Sequence, residues 1–331
     1  MNLQLLTDLP FDIKNIFNIS SPSEFEKYAI QLFHFQYENN SVYRSYCQLS
    51  KRDIEVKKLQ DIPFLPISFF KNQKVITGKG EPKVEFHSSG TTGTEKSKHF
   101  ILDLTIYELS FIKAFEHFYG HIEDFIILGL LPSYMENQHS SLIYMVDYLI
   151  THSKDQDSGL FMNDFDKLCQ IIEARKHEKK IILFGVSYAL LDLAEKYKVD
   201  LSHCIVMETG GMKGRRKEIT KAEMHEKLCS ALNTSTIHSE YGMTELLSQA
   251  YSSGHGIFKT PAWMKVLIRE QTDPFSFSEG KSGGVNVIDL ANVFSCSFIE
   301  TQDLGRQNGD TFEILGRFDT SDIRGCNLLI Q

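Results

Sequence analysis

Apolar positions along the chain change their period twice. Between residues 25 and 35, Phe25, Tyr28, Ala29, Leu32, Phe33 and Phe35 recur at helical spacing, and Ser23 with Glu26 reads as a capping box ahead of them. Pro63 and Pro66 then break regular structure around Ile62, Phe64, Leu65 and Ile67. From residue 84, apolar runs alternate with helical stripes. Residues 84–86, 125–130, 180–185, 204–207 and 236–238 read as strands, and the runs at 125–130 and 180–185 are continuously apolar, as in a strand covered on both faces. Residues 105–119, 140–151, 164–176, 187–197 and 217–231 read as helices. Such alternation implies a mainly parallel sheet with helices on both faces. Ligands of such sheets sit beyond the carboxyl ends of the strands.

The last third switches pattern again. Residues 265–269, 284–288, 297–299 and 311–315 are short strands with turn residues between them, which suggests an antiparallel sheet or a small barrel. The expected organisation is a helical segment at 1–75, an α/β core at 76–260 and a β-rich subdomain with a C-terminal tail at 261–331. No repeat, low-complexity tract or flexible linker interrupts it.

Composition narrows the class. At 331 residues, 42% hydrophobic and 24% charged, the chain has enough apolar side chains for a large buried core and matches an ordinary globular protein. A net charge of −8 argues against a protein that coats nucleic acid, and leaves room for a locally basic nucleotide pocket. Six cysteines are scattered with no Cys-x-x-Cys pair, so neither a zinc site nor a disulfide framework is expected. The amino terminus lacks the basic start and apolar core of a signal peptide, and no run approaches the ~18 apolar residues of a membrane span. The expectation is a reduced, cytoplasmic protein.

Four segments carry candidate chemistry. The richest is His87-Ser88-Ser89-Gly90-Thr91-Thr92-Gly93-Thr94-Glu95-Lys96-Ser97-Lys98. Gly90 and Gly93 permit close backbone approach, consecutive N–H groups make an anion-binding concavity, and the hydroxyls and lysines add donors and charge. The spacing is not that of a Walker A loop; the segment is either a polyphosphate cradle or a solvated turn. In Ser239-Glu240-Tyr241-Gly242-Met243-Thr244-Glu245, an aromatic ring beside glycine can face a flat base. Thr244 can bind a phosphate oxygen and Glu245 can hold Mg²⁺ opposite it, unless the pair merely starts a helix. Thr301-Gln302-Asp303-Leu304-Gly305-Arg306 offers an acid for ribose hydroxyls, or else an Asp-containing turn. Arg317, in Leu315-Gly316-Arg317-Phe318-Asp319, carries a fork suited to ribose or phosphate oxygens, or lies in a solvated surface turn. His139 beside Ser140 and Ser141 either orients a carboxylate or is a satisfied loop histidine, and residues 142–145 line either an acyl channel or a helix core.

In that order, the four segments resemble the signatures of the adenylate-forming superfamily, which includes acyl-CoA synthetases, luciferase-type enzymes and peptide-synthetase adenylation domains. The match runs from residue 87 to residue 326, with Gln302 standing where a glycine is usual. Within that superfamily the chain looks most like the acyl-protein synthetases of bacterial luminescence fatty-acid reductase systems, through Leu131-Pro132-Ser133-Tyr134, His139-Ser140-Ser141-Leu142, Gly210-Gly211-Met212-Lys213 and Gly325-Cys326-Asn327. The resemblance implies the large-domain fold of layered α/β sheets plus a small β-rich subdomain. It also implies that the usual mobile C-terminal domain, with its catalytic lysine, is lacking.

The same resemblance implies ATP-dependent activation of a carboxylic acid, a fatty acid by analogy, as acyl-adenylate, followed by transfer to a cysteine thiol. Carried over by motif, Ser88, Ser89, Gly90, Thr91, Thr92, Gly93, Thr94 and Lys96 would cradle the β- and γ-phosphates. Thr244 would contact the α-phosphate, Glu245 would hold Mg²⁺, Tyr241 would flank the adenine, Gly211 and Gly242 would belong to the cofactor-binding site, and Asp303 and Arg317 would bind ribose. Lys213 is a candidate for the displaced cationic role, or an ordinary surface lysine. Cys326, beside Arg324, matches the region of the acyl-accepting cysteine; a neighbouring guanidinium favours thiolate. The implied partner is an acyl-CoA-reductase-like or carrier protein, with no nucleic acid. A ligase that uses coenzyme A or a carrier thiol, and a catalytically silent nucleotide-binding scaffold, stand as alternatives.

Overall fold

The structure, a computed structural model, describes residues 9–51, 55–89, 95–131, 139–210, 219–271, 273, 275–278 and 280–318. Two helices open it, α1 (Pro22–Asn39) and α2 (Ser41–Leu49). The cap of α1 is Ser21, not Ser23: its hydroxyl accepts from the Glu24 amide at 3.3 Å, and Glu24 reaches back to the Ser20 amide at 2.8 Å. Pro22 explains the earlier start, because its fixed φ suits the first helical position and its missing N–H costs nothing there. Glu26 accepts instead from the Leu59 amide at 3.2 Å. The expected apolar stripe is buried, from Phe25 through Ala29, Leu32, Phe33 and Phe35.

A two-residue strand, β1 (Leu65–Pro66), follows where the prolines had suggested only irregular chain. Pro66 is tolerated because this strand is an edge piece, pairing on one side alone. The hairpin β2 (Val84–His87) and β3 (Lys98–Ile101) forms a separate two-stranded sheet whose connection is the Ser/Thr/Gly-rich segment. Next come α3 (Leu104–Tyr119), β4 (Phe125–Leu130), α4 (Ser141–His152), β5 (Gly159–Leu160), α5 (Phe165–Arg175), β6 (Lys180–Val186), α6 (Ser187–Lys196), β7 (Cys204–Thr209), α7 (Lys221–Leu232) and β8 (His238–Tyr241). Strands β4 to β8 pair in parallel, as the alternating pattern requires. All of β4 and nearly all of β6 are buried, and α4 packs on β4 while α6 packs on β6 and β7.

The remaining strands are β9 (Ala250–Ser252), β10 (Ile257–Lys259), β11 (Met264–Arg269), β12 (Ser282–Asp289), β13 (Phe298–Asn308) and β14 (Thr311–Arg317). They are antiparallel, as expected, yet they continue the first sheet. Through β9 and β10, a single 12-stranded sheet runs β11-β12-β13-β14-β10-β9-β8-β7-β6-β4-β5, with β1 on β13. The amino-terminal helices are pinned to this half by buried amides. Gln36 donates to the Asn292 carbonyl at 2.9 Å, and Asn40 donates to the Ser295 carbonyl at 3.0 Å.

Candidate active site

Strand β8 ends in Tyr241, so the Tyr-Gly-x-Thr-Glu segment leaves the sheet at the carboxyl end of a parallel strand, where ligands of such sheets bind. No helix begins at Thr244; residues 242–249 form an irregular connection to β9. The Tyr241 ring packs edge-on to Phe258 at 5.9 Å and Phe312 at 5.5 Å. Its hydroxyl donates to Asp303 Oδ2 at 2.8 Å. Burial, reinforced by the Asp303 charge, holds the phenol well above its ordinary pKa, so it stays a donor.

Asp303 lies within β13 rather than in a turn after it, and its direct cross-strand neighbour on β14 is Arg317. Arg317 Nε donates to Asp303 Oδ1 at 3.1 Å. Tyr241, Asp303 and Arg317, from three separate strands, therefore form one hydrogen-bonded group. β13 is itself fixed by Arg269, a buried guanidinium that donates to the Val285 carbonyl at 3.0 Å, Asn286 Oδ1 at 2.8 Å and the Thr301 carbonyl at 2.7 Å. Gly284 is required beside it, because a Cβ there would lie 2.2 Å from Arg269 Cζ.

Across the connection, Glu245 is buried at the base of the Ser/Thr/Gly-rich loop. Burial raises its carboxyl above the usual range, while a hydrogen bond from Ser97 and the Arg317 charge act in the opposite direction. The loop base is closed by reciprocal bonds. The Ser88 amide donates to the Ser97 carbonyl at 3.0 Å, and the Ser97 amide donates to Ser88 Oγ at 2.9 Å. Ser89 and Lys96 are exposed beside it, as is Gly242; Thr244 is half-buried. Gly90, Thr91, Thr92, Gly93, Thr94, Gly211, Lys213 and Cys326 lie outside the described residues.

Several residues near this group carried no assigned role in the sequence. Asp289 Oδ2 accepts from the amides of Leu247 at 2.8 Å and Ser248 at 2.9 Å. Asn292 donates to the Glu245 carbonyl at 2.8 Å, and His99 Nδ1 lies 2.8 Å from the Thr244 carbonyl. The available signal was a polar residue inside an otherwise apolar strand, as with Asp289 among Val287, Ile288 and Leu290. His139 stacks on His87 at 4.6 Å and its Nδ1 meets the Glu85 carbonyl at 3.0 Å. Burial raises the thiol pKa of Cys169, Cys204, Cys229 and Cys296, which leaves them poor nucleophiles.

A second polar cluster lies at the ends of β7 and β8. Glu208 accepts from Lys221 Nζ at 2.7 Å and Ser187 Oγ at 2.8 Å, with His225 Nε2 at 3.9 Å. Burial pushes this carboxyl up, but His225 and Lys221 outweigh it and hold the group down to about 2. One strand away, Glu240 accepts from the Thr209 hydroxyl, and burial carries it up to about 7. Among the described residues, no group of three or more His, Cys, Asp or Glu side chains forms a ready metal cage. Glu245 is a buried carboxylate within the field of Asp303 and Arg317.

A family profile described as "Acyl-protein synthetase, LuxE" matches residues 17–331. The long-chain-fatty-acid–luciferin-component ligase of Vibrio harveyi is 22% identical over 89% of this chain and 84% of its own length. That of Aliivibrio fischeri is 22% identical over 92% and 86%. Among solved structures, an open conformation of 2-hydroxyisobutyryl-CoA ligase in complex with 2-HIB-AMP and CoA superposes with a TM-score of 0.64 at 11% identity, covering 95% of this chain and 82% of that one. ATP-bound MatB from Rhodopseudomonas palustris gives a TM-score of 0.53 at 16% identity over 72% of this chain, which spans about half (49%) of that structure. At these identities the likeness is one of fold.

Proposed function

This chain belongs to the acyl-protein synthetase (LuxE) family, and from that premise we propose that it activates a fatty acid with ATP as acyl-adenylate and passes the acyl group to Cys326. The observation that carries the reading is the meeting of distant segments. Tyr241, Asp303 and Arg317 share hydrogen bonds, and Glu245, within the field of Arg317 and Asp303, sits against Ser97 at the loop base.

In this reading a carboxylate oxygen attacks the α-phosphorus of ATP, the P–O bond to pyrophosphate breaks, and acyl-AMP forms. The chain's contribution is alignment and charge stabilisation. Lys96, Ser88, Ser89 and the 90–94 segment take the terminal phosphates. Thr244 contacts the α-phosphate, Asp303 accepts from ribose hydroxyls, and Arg317 swings from Asp303 toward ribose or phosphate oxygens. Tyr241, whose ring packs edge-on against the stacked Phe258 and Phe312, orients Asp303 and presents the Tyr241-Gly242 backbone to the base. Gly211 borders the base and Lys213 supplies a further cation.

Mg²⁺ fits this donor set. A buried carboxylate at the base of the loop suits an ion that takes one or two carboxylates and completes its shell with water and substrate phosphates. Held by Glu245, it would neutralise charge on the phosphate oxygens. In the second half-reaction the Cys326 thiolate attacks the acyl carbonyl, the thioester forms and AMP leaves. An acyl-CoA-reductase-like or carrier protein would then take the acyl group.

Pyrophosphate exchange into ATP with a panel of fatty acids tests the first half; exchange is expected with at least one acid. ATP binding without exchange for any acid would instead indicate a silent nucleotide-binding scaffold. Labelled fatty acid with ATP tests the second half. Cys326→Ser should abolish covalent labelling and leave exchange intact, whereas full labelling of that variant would assign the acceptor elsewhere.

A further inference from the structure

We infer that His99 is a positioning residue that fixes Thr244 and Glu245 against the strand leaving the phosphate loop, through a hydrogen bond that one ring tautomer alone can make. The inference rests on the functional reading above for the importance of Thr244 and Glu245. Its geometry stands independently.

His99 lies within β3, two residues after Ser97, and is fully buried. Its Nδ1 is 2.8 Å from the Thr244 carbonyl oxygen. A carbonyl only accepts, so the proton must sit on Nδ1. Nε2 is then a bare lone pair, and it is buried with no donor among the described residues. Leaving a buried acceptor unmatched opposes folding. A leucine or phenylalanine would fill the same space, between the edge of Phe70 and the apolar wall of Leu247, Ala291 and Phe294, without that penalty. The imidazole is therefore explained by its Nδ1–H and not by packing. Burial, which lowers this histidine to about 4, keeps the ring neutral.

The need for such a bond follows from the local backbone. Residues 242–249 belong to no helix or strand, so their peptide groups find partners elsewhere. Asp289 takes the amides of Leu247 and Ser248, and Asn292 takes the Glu245 carbonyl; both come from the β12 side of the molecule. His99 alone among these three comes from the phosphate-loop hairpin. Its bond ties the expected α-phosphate contact to the expected β/γ-phosphate cradle, and a shift between them misaligns one triphosphate.

Three substitutions separate this role from space filling. His99→Asn places an amide nitrogen near the position of Nδ1, His99→Gln places one near Nε2, and His99→Leu keeps volume without a donor. His99→Asn should retain the KM for ATP within about threefold, whereas His99→Gln and His99→Leu should raise it on the order of tenfold or more, as loss of an outer-shell partner does. Thermal melts of each variant report folding separately. Equal KM values across all three variants, or a KM that tracks the melting temperature alone, would overturn the proposal. ¹⁵N NMR of the wild-type imidazole, which requires no activity, should show a protonated Nδ1 and a bare Nε2; the reverse tautomer would also overturn it. Failure of wild-type exchange would instead overturn the functional reading, leaving the tautomer measurement to decide the His99 bond.

Discussion

Two ion pairs, one on each half of the sheet, differ in what surrounds them. On the parallel half, Lys221 and Glu208 meet at 2.7 Å with side chains 30% and 3% exposed. On the antiparallel half, Arg317 and Asp303 meet at 3.1 Å with side chains 79% and 8% exposed. Lys221 is held further by Ser239 Oγ at 3.4 Å and by the face of Phe258 at 5.3 Å. Arg317 makes one hydrogen bond among the described residues and leaves four N–H donors facing outward. A cation held by several partners at once holds chain segments together. A cation tethered by one bond above a buried acid is free to change partners. On the proposed reading, the first pair serves stability and the second serves the nucleotide.

The largest effect should come from breaking the closed pair. Lys221→Met leaves the buried Glu208 carboxylate with Ser187 and His225 alone, and breaking a buried ion pair by removing one partner costs about 3 kcal/mol. The urea midpoint should fall accordingly, and adding Glu208→Gln to the same chain should restore part of the loss, because both charges are then gone. A midpoint unmoved by Lys221→Met would mean that the pair holds nothing together.

A smaller and pH-dependent effect sharpens the same contrast. Glu240 is buried next to this pair, and burial, aided by the Glu208 charge, raises it from 4.5 to about 7. Because the folded pKa is the higher one, its contribution is complete below pH 4.5 and is lost as pH rises through 7. Between pH 5 and 9 that loss amounts to roughly 3 kcal/mol. Glu240→Gln, which cannot ionise, should match the wild type at pH 5 and be more stable at pH 8 to 9. Parallel urea midpoints across that range would refute the assignment.

The same contrast explains what was legible in the sequence. The strands at 125–130 and 180–186 announced themselves because both faces are buried and apolar residues fill nearly all of both. β13 did so only at its start, read as 297–299, since the residues it turns inward beyond that point include Thr301 and Asp303, and period-two burial is present there without period-two hydrophobicity. β9 and β10 are three residues each and too short to show any period. The Tyr-Gly-x-Thr-Glu, Asp303 and Arg317 motifs were visible as residue types in order. Their meeting was expected through the family resemblance alone, because it depends on β14 returning beside β10 and on a register that sets Asp303 opposite Arg317. His99, Asp289 and Asn292 were silent for a related reason. Each acts on the main chain of residues far away in sequence, and a backbone carbonyl or amide leaves no mark in the side-chain pattern.

The smallest stability effect belongs to the open pair, and it is the sharpest test of the comparison. An exposed guanidinium gains little from one carboxylate in water, so Arg317→Ala should shift the urea midpoint by less than about 1 kcal/mol. Asp303 keeps its bond from the Tyr241 hydroxyl in that variant, so its orientation should survive. What should change is nucleotide affinity, because a forked cation that can leave Asp303 for ribose or phosphate oxygens is gone; the Kd for ATP should rise on the order of tenfold. Arg317→Lys should fall between, since an ammonium restores charge without the fork. Urea melts and ATP titrations on the same three proteins decide the matter. If Arg317→Ala costs as much stability as Lys221→Met and leaves ATP affinity unchanged, both pairs are structural and the division between a locked and a poised half of the site is wrong.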